Sequence, residues 1–220
     1  MEYAFGLSIP QTLEEMCHPH RLALLVYDMQ VGIFTQLPPE KGERIKAQVL
    51  KVLQAARTGG FRVFFCRHLS LPVEAAGVFQ LRMAMTWQKV NQVSEVRPWF
   101  LRDNPNFQIV PELSPLPSEV IFDKITMSAF EGTFLNIALR DCGIHAVAIV
   151  GVATEVGIEP TVRHGADLGY IPVIVTDACG AGNESAAERS LASLEFAGDA
   201  VMTDVATICS LLQRAQSAKS

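Results

Sequence analysis

Two charged residues stand at the ends of apolar runs in this sequence, where the chemistry of an enzyme is often found. Asp28 follows the run Leu22–Tyr27, and Lys124 comes shortly after the run Val120–Phe122. A carboxylate and an ammonium that lie side by side fix each other's charge, which is the outline of a general acid–base pair. Taken singly, the aspartate is equally consistent with a helix cap, and the lysine with a solvated surface charge.

A third segment, Gly151–Gly157, follows the apolar run Ala146–Val150 and leads into a predicted helix. A strand-to-helix turn of this kind presents backbone N–H groups with the helix dipole behind them, which suits a developing oxyanion. Pro160 falls in the first turn of that helix, where its missing N–H has no cost. The segment therefore favours an oxyanion site, although a plain tight turn would have a similar composition.

The alternation of strands and helices brings these three segments to one edge of a sheet. Short apolar runs predict six strands: Leu22–Tyr27, Phe61–Cys66, Val120–Phe122, Ala146–Val150, Pro172–Val175 and Ala200–Met202. Helical spacing predicts helices over Glu40–Arg57, Thr133–Asp141, Ile158–Leu168 and Glu184–Phe196, with one more at the end. This pattern indicates a three-layer α/β/α fold with a six-stranded, mostly parallel, doubly wound sheet. Sites in such sheets form at the carboxyl ends of the strands.

The length of 220 residues fits a single domain over 1–220. Residues 1–20 are predicted to be an N-terminal extension, and residues 69–117 an excursion over the active site or a subunit interface. No run approaches the roughly 20 apolar residues of a membrane span, and the first residues do not resemble a signal peptide. The net charge of −5 gives no indication of a nucleic-acid or membrane partner.

The five cysteines are odd in number, widely spaced and without a C-x-x-C pair. This usage indicates reduced thiols rather than a disulfide framework or a zinc ribbon, and we expect a cytoplasmic protein.

Three segments carry a resemblance to a known family: LLVYDMQVGIF, VIFDKITMSAFEGTFL and AIVGVATEVGIEPTVRHGADLGYIPVIVTDACGA. They resemble the isochorismatase-like hydrolases over about Leu22 to Met202. That group includes nicotinamidases, carbamoylsarcosine and ureidoacrylate amidohydrolases, and isochorismatases, and many members use a triad of Asp, Lys and Cys. The resemblance implies that Asp28 is the general base and acid, and that Lys124 holds its carboxylate charged.

The resemblance also implies a cis peptide bond between Val152 and Ala153, with the amides of Ala153 and Gly157 forming the oxyanion hole. Gly157 stands where the cysteine hydrolases carry the nucleophile, since this chain reads A-T-E-V-G in place of A-T-x-x-C. A covalent thioester route is therefore closed, and the glycine is expected to leave more room for substrate than a cysteine would.

Isochorismatases proper also carry glycine at this place, and they cleave a vinyl ether by protonation from the Asp followed by addition of water. We therefore expect a cofactor-independent hydrolase that uses Asp28 and Lys124 on a small substrate, with a carboxylated substrate and vinyl-ether hydrolysis as options. Thr154 and Glu155 depart from the isochorismatase pattern, so the substrate stays open. The alternatives are a non-covalent C–N amidohydrolase in which Glu155 activates water, and an inactive relative that binds a small molecule or a protein.

The expected substrate-binding residues are Phe34, Arg67, His68, Trp87, Thr154 and Glu155, with Trp99 as a further aromatic candidate. Arg67 is suited to grip a carboxylate in bidentate fashion, and the competing interpretation is a charge on the rim. The aromatic residues are individually also consistent with core or interface, and Glu155 with a carboxylate favoured by the helix dipole. His68 lacks the companions of a three-ligand zinc site, so no metal is expected. Residues 69–117 are the expected contact of a homodimer or homotetramer.

Overall fold

The structure is a computed structural model, and it describes residues 1–217. The chain begins with an antiparallel hairpin, β1 (Glu2–Ala4) and β2 (Leu7–Ile9), and a short helix, α1 (Leu13–Met16). The other strands form a single sheet: β3 (Leu22–Tyr27), β4 (Arg62–His68), β5 (Val120–Lys124), β6 (Ala146–Val152), β7 (Ile171–Gly180) and β8 (Val201–Thr203). They lie in the order β5-β4-β3-β6-β7-β8, and every neighbouring pair is parallel.

The helices of the described chain complete the layers. They are α2 (Val31–Phe34), α3 (Pro39–Gly59), α4 (Val78–Gln88), α5 (Leu135–Asp141), α6 (Glu159–Asp167), α7 (Glu184–Ala197) and α8 (Val205–Ser217). This arrangement confirms the predicted α/β fold with its six-stranded sheet. Among residues 1–217, no helix combines the length and the apolarity needed to cross a membrane.

The middle strand β3 shows why the fold is three-layered. All six of its residues are buried, because both faces of the sheet are covered. Leu24 and Val26 belong to the core on the side of α3 and α8. Leu25 and Tyr27 belong to the core on the other side, with α5 and α6. Tyr27 is therefore the last side chain of β3 on the second face, next to the site residue Asp28.

Five strands, β4 to β8, extend beyond the carboxyl ends of the predicted apolar runs, and in most of them polar residues continue the pairing. In β4 and β5, Arg67 pairs with Asp123 and His68 with Lys124. Hydropathy alone ends each strand at its last apolar residue, so these pairs were predicted to lie beyond the strands. The sheet thus delivers Lys124 to the site from within a strand rather than from a flexible loop.

The segment 69–117 contains α4 and four short 3₁₀ turns, centred on residues 74, 94, 106 and 112. It connects β4 to β5 and reaches the carboxyl edge of the sheet, where Trp99 and Phe100 stand. The hairpin at residues 2–9 was not predicted, because two strands of three residues give too short a pattern.

Gly151 is required where β6 lies against the end of β3. Its φ is +126°, and a Cβ built on it would lie 2.1 Å from the carbonyl oxygen of Tyr27. A side chain there would force apart the two strands that carry the site.

We expect Gly151→Ala to destabilise the fold by more than about 3 kcal/mol, because it adds a backbone clash to the roughly 1–2 kcal/mol of a left-handed residue. Gly143→Ala is the matched control: its φ is +70°, but the nearest atom to an added Cβ is 3.9 Å away. Urea unfolding of both variants measures the difference, and equal losses would contradict the close approach at Gly151.

Candidate active site

The site is built on a buried ion pair at the carboxyl edge of the sheet. Lys124 Nζ donates a hydrogen bond of 2.8 Å to Asp28 Oδ2 and one of 3.2 Å to the carbonyl oxygen of Thr126. Both charged residues are buried, at 3% exposure for Lys124 and 6% for Asp28. The structure therefore brings together the two residues that the sequence singled out.

Lys124 reaches Asp28 across an intervening strand. It ends β5, whereas Asp28 follows β3, and β4 lies between them. Two strand spacings are roughly 9.6 Å, which a lysine and an aspartate side chain span together. Cys66 of β4 lies between the two strands, paired with Tyr27 on one side and Phe122 on the other. Its thiol donates to the second oxygen of Asp28, at 3.5 Å, so both carboxylate oxygens have a partner.

The charge states of these groups follow from burial and from the ion pair. Burial by itself would lower the pKa of Lys124, but the adjacent Asp28 carboxylate more than offsets it, and the pKa lies above its usual value. Burial, reinforced by Asp28, raises the pKa of Cys66 well above that of a free thiol. Lys124 is therefore an ammonium ion, and Cys66 is a neutral thiol.

Gln30 holds the carboxyl ends of β3 and β4 together, and the sequence analysis did not identify it. Its side chain accepts a bond of 2.7 Å from the amide of His68 and donates bonds of 3.0 Å to the carbonyl oxygens of His68 and Phe107. It is fully buried. The available signal was a long polar residue two positions after Asp28, within an otherwise apolar stretch.

The turn after β6 has the cis peptide bond between Val152 and Ala153 that the resemblance implied. One π-helical turn, Thr154–Ile158, then leads into α6. The carbonyl oxygen of Ala153 accepts hydrogen bonds from the amides of Val156, Gly157 and Ile158, at 3.1–3.2 Å. The amide of Gly157, expected to be an oxyanion donor, is thus already bonded to Ala153, while Ala153 itself lines the pocket.

The space beside Gly157 is occupied by the phenol of Tyr27. A Cβ built on Gly157 would lie 2.1 Å from Tyr27 Oη and 2.6 Å from its Cζ. The Tyr27 hydroxyl donates a hydrogen bond to the carbonyl oxygen of Met127, which fixes the ring there. The expectation that glycine leaves more room for substrate is therefore wrong, because the room is taken by Tyr27.

Tyr27 is not an alternative nucleophile. Its burial raises the pKa of the phenol above the usual value, although the Lys124 ammonium, 4.4 Å from the ring centre, opposes the shift. The hydroxyl therefore stays protonated at neutral pH. Tyr27 and Gly157 form a matched pair in which the aromatic ring fills the volume that a side chain at 157 would need.

A pocket of about 380 Å³ opens above these groups. Its floor contains Tyr27, Asp28, Ala153 and Gly157. The remaining walls come mainly from the segment after β3 and from 69–117, with further residues from the ends of β4, β5 and β6. They include Ile33, Gln36, Leu37, His68, Trp87, Trp99, Phe100, Met127 and Val156. The predicted residues His68, Trp87 and Trp99 thus share one pocket with Asp28.

Two of the expected substrate-binding residues point elsewhere. Phe34 packs against the core beside α3, where its ring lies 3.3 Å from the position of a Cβ on Gly42. Arg67 pairs with Asp123 at 2.8 Å and stacks over the Phe107 ring at 4.2 Å. The structure therefore contradicts Phe34 as a pocket aromatic and Arg67 as a carboxylate clamp.

Thr154 and Glu155 serve the neighbouring backbone rather than the pocket. The Thr154 hydroxyl donates to the carbonyl oxygen of Gly180 at 3.0 Å, and one Glu155 oxygen accepts from the amide of Asn183 at 2.6 Å. The other Glu155 oxygen is buried without a hydrogen-bond partner among residues 1–217. Neither residue is part of the pocket wall, which corrects their assignment as substrate contacts.

His68 is a further titratable side chain in the pocket wall, beside Tyr27 and Asp28. Burial, helped by the nearby Lys124, lowers the pKa of His68 from 6.5 to about 4. Its ring packs edge-on against Phe100, with centroids 5.9 Å apart. The imidazole is therefore neutral at physiological pH. Over the part of the chain that the structure describes, no cluster of three or more His, Cys, Asp or Glu could hold a metal ion.

Comparison with known proteins places these features in a family. The isochorismatase domain model matches residues 22–207. Ureidoacrylate amidohydrolase from Serratia proteamaculans is 28% identical in sequence, over 94% of this chain and 89% of the relative. The protein of the same name from Pseudomonas syringae pv. syringae is 30% identical, over 80% of this chain and 78% of the relative. A cysteine hydrolase structure from Pseudomonas syringae pv. phaseolicola has a TM-score of 0.75 at 25% identity, covering 91% of this chain and 96% of its own.

The matched pair at Tyr27 and Gly157 gives a double-mutant test. We expect Gly157→Cys to cost at least about 2 kcal/mol by overpacking, and Tyr27→Val about 3 kcal/mol through the cavity that it leaves. In the double variant the added and removed volumes compensate. Its loss of unfolding free energy should therefore be smaller than the sum of the losses in the two single variants by at least about 1 kcal/mol. Denaturant unfolding of the four proteins measures this coupling, and simple additivity would contradict the packing described here.

The environment of His68 predicts a pH dependence of stability. Between pH 6.5 and about 4, the unfolded chain binds a proton at this residue and the folded chain does not, so stability should fall as the pH is lowered. The decrease in the free energy of unfolding is at most about 3 kcal/mol, and it is absent above pH 6.5. His68→Gln should show a shallower decline than the parent over this range. Parallel unfolding profiles of the two proteins would show that burial does not perturb His68.

Proposed function

This chain belongs to the isochorismatase family of hydrolases, and we propose that it hydrolyses a small molecule by acid–base chemistry of Asp28 and Lys124, without a thiol nucleophile. The observation that carries this proposal is the buried Asp28–Lys124 pair at the floor of a pocket whose nucleophile position is filled by Tyr27. The pair supplies a proton-transfer group, and the filled position leaves water as the attacking group.

Asp28 is suited to accept the proton of a water molecule that attacks the substrate, and to return that proton to the leaving group. Lys124 balances the negative charge of the carboxylate in the resting state, and its hydrogen bond to Oδ2, together with that of the Cys66 thiol to Oδ1, holds the carboxylate in one orientation. As the proton moves onto Asp28, the negative charge passes to the substrate oxygen, where the amide of Ala153 is the candidate donor, because the amide of Gly157 is already bonded to the Ala153 carbonyl oxygen. Proton transfer of this type contributes about 10²–10⁴-fold to a rate.

Vinyl-ether hydrolysis is one reaction that fits a site without a nucleophile. In it, the acid form of Asp28 protonates the enol-ether carbon, water adds to the resulting oxocarbenium ion and gives up a proton to Asp28, and the hemiketal then collapses to a carbonyl product with release of the alcohol. The step needs a single proton donor beside a shaped pocket, and it needs no covalent intermediate. It also needs no group at position 157, which agrees with the Tyr27 ring in that space.

Hydrolysis of a C–N bond is the second candidate, because several relatives are named ureidoacrylate amidohydrolase. The version in which Glu155 activates water has less support, since Glu155 accepts from Asn183 and does not line the pocket. Asp28 would then have to activate the water. Release of ammonia or of a carbamate from a substrate would identify this reaction and separate it from vinyl-ether cleavage.

An inactive, binding-only relative is less consistent with the buried pair. Burying an ion pair usually gives little net stability compared with apolar residues of the same volume, so a pair of this kind is seldom explained by folding alone. Asp28 and Lys124 are both nearly inaccessible, yet they lie directly under a pocket. A role in proton transfer accounts for their position.

We also propose a cytoplasmic homodimer or homotetramer with segment 69–117 in the contact. Support comes from α4, where Val78 and Phe79 are 79% and 72% exposed in the single chain. Exposed apolar side chains of this size on one helix end are typical of subunit contacts.

The acid–base proposal predicts a specific loss in Asp28→Asn. We expect this near-isosteric variant to lower kcat by at least about 10²-fold on whichever ureido acid, primary amide or vinyl ether the parent hydrolyses fastest. Treatment of the parent with iodoacetamide should leave its activity unchanged, because Cys66 is a buried, neutral thiol and position 157 carries none.

Cys66→Ser serves as the control for Asp28→Asn, since it keeps a hydrogen-bond donor beside the carboxylate and should retain most of the activity. Loss of activity on alkylation, or full activity in Asp28→Asn, would overturn the proposed function.

A further inference from the structure

The charge balance of the pocket bears on the class of ligand, since the relatives include proteins named ureidoacrylate amidohydrolase. Among residues 1–217, none of those that line it is a lysine or an arginine. Asp28 is the one acidic residue that the described part of the chain contributes to the wall, and the buried Lys124 already neutralises it. Arg67, which precedes the wall residue His68 in the chain, is paired with Asp123 and packs over the Phe107 ring.

The remaining polar wall groups carry no charge at neutral pH. His68 is held neutral by its burial, Gln36 is an amide, and Tyr27 is a protonated phenol. An anionic ligand would lose its hydration in this pocket and find no counter-charge, and a cationic one would meet a carboxylate that is already paired. Removing either charged ligand from water costs several kcal/mol of binding free energy when no opposite charge compensates it.

Much of the pocket wall is aromatic. Trp87, Trp99 and Phe100 all come from the segment 69–117 and face the pocket, and Trp99 packs edge-on against Phe100 with centroids 6.4 Å apart. Ile33 and Leu37 continue the apolar surface from the other side. Flat apolar rings bind well against such a surface, because they bury area and make stacked or edge contacts.

From this balance of charge and aromatic surface, we infer that the site takes an uncharged ligand with a flat aromatic or heteroaromatic body, which lies between Trp87, Trp99 and Phe100 and directs its hydrolysable group to Asp28. The volume of about 380 Å³ accommodates one such ring with a small substituent. The inference rests on the proposed function for the orientation of the ligand, but the charge preference follows from the walls alone.

The two tryptophans of the chain provide the readout, since Trp87 and Trp99 are its only ones and both line the pocket. Benzamide, benzoate and benzamidinium have nearly the same shape and differ in charge, so they are titrated against intrinsic fluorescence at pH 7. We expect benzamide to quench the emission with a Kd at least tenfold lower than those of the other two. Trp87→Phe and Trp99→Phe should each still bind benzamide more tightly than benzoate and benzamidinium, as reported by the fluorescence of the remaining tryptophan.

A cation placed in the wall should change the preference. Gln36→Arg puts a guanidinium at the pocket, and we expect it to improve benzoate binding at least tenfold, while the neutral control Gln36→Met should not. Benzoate binding as tight as benzamide in the parent would overturn the inference, and so would the absence of quenching by all three probes. These titrations measure binding only, so the acid–base proposal is judged separately by the turnover of Asp28→Asn.

Discussion

The structure depends on one electrostatic constraint, the ion pair between Asp28 and Lys124 inside the protein. Two charges removed from water must satisfy each other and every remaining hydrogen-bonding atom, or the fold loses several kcal/mol. The sheet meets this requirement by placing their strands two positions apart, with the small side chain of Cys66 between them. The carbonyl oxygen of Thr126 and the thiol of Cys66 complete the contacts of the pair.

A second constraint follows from volume next to this pair. Tyr27 precedes Asp28 in the chain and directs its ring to the face of the sheet where α6 begins, so its hydroxyl arrives beside Gly157. A cysteine at 157 and a tyrosine at 27 would occupy the same space. The glycine at position 157 and the tyrosine at position 27 therefore require each other. Without a nucleophile at 157, the chemistry available to the site is that of Asp28 and water.

The sequence was sufficient to predict the fold and the pairing of Asp28 with Lys124, because both residues follow apolar runs that predict parallel strands, whose carboxyl ends meet at one edge of the sheet, and because the family resemblance pairs these positions. The family resemblance supplied the cis bond before Ala153. Side-chain direction was the main source of error. Phe34 and Arg67 are close to the site in sequence, but the short helix α2 and the register of β4 with β5 turn them to α3 and to Asp123.

Side-chain packing between distant segments was the other feature that could not be predicted from the sequence. The clash between Tyr27 and a side chain at 157 involves residues 130 positions apart, and no local pattern reports their distance. The bonds from Gln30 to β4 and to the 69–117 segment are of the same kind. Both contacts lie at the pocket, where the requirements of the site add to those of the fold.

The most direct test of the account is intact-protein mass spectrometry of the enzyme, quenched by acid during turnover of its fastest substrate. Because water rather than a protein group attacks, the mass should remain that of the unmodified 24.1 kDa chain at every quench time. A heavier population that carries a covalent fragment of the substrate, mapped to any side chain, would contradict the account.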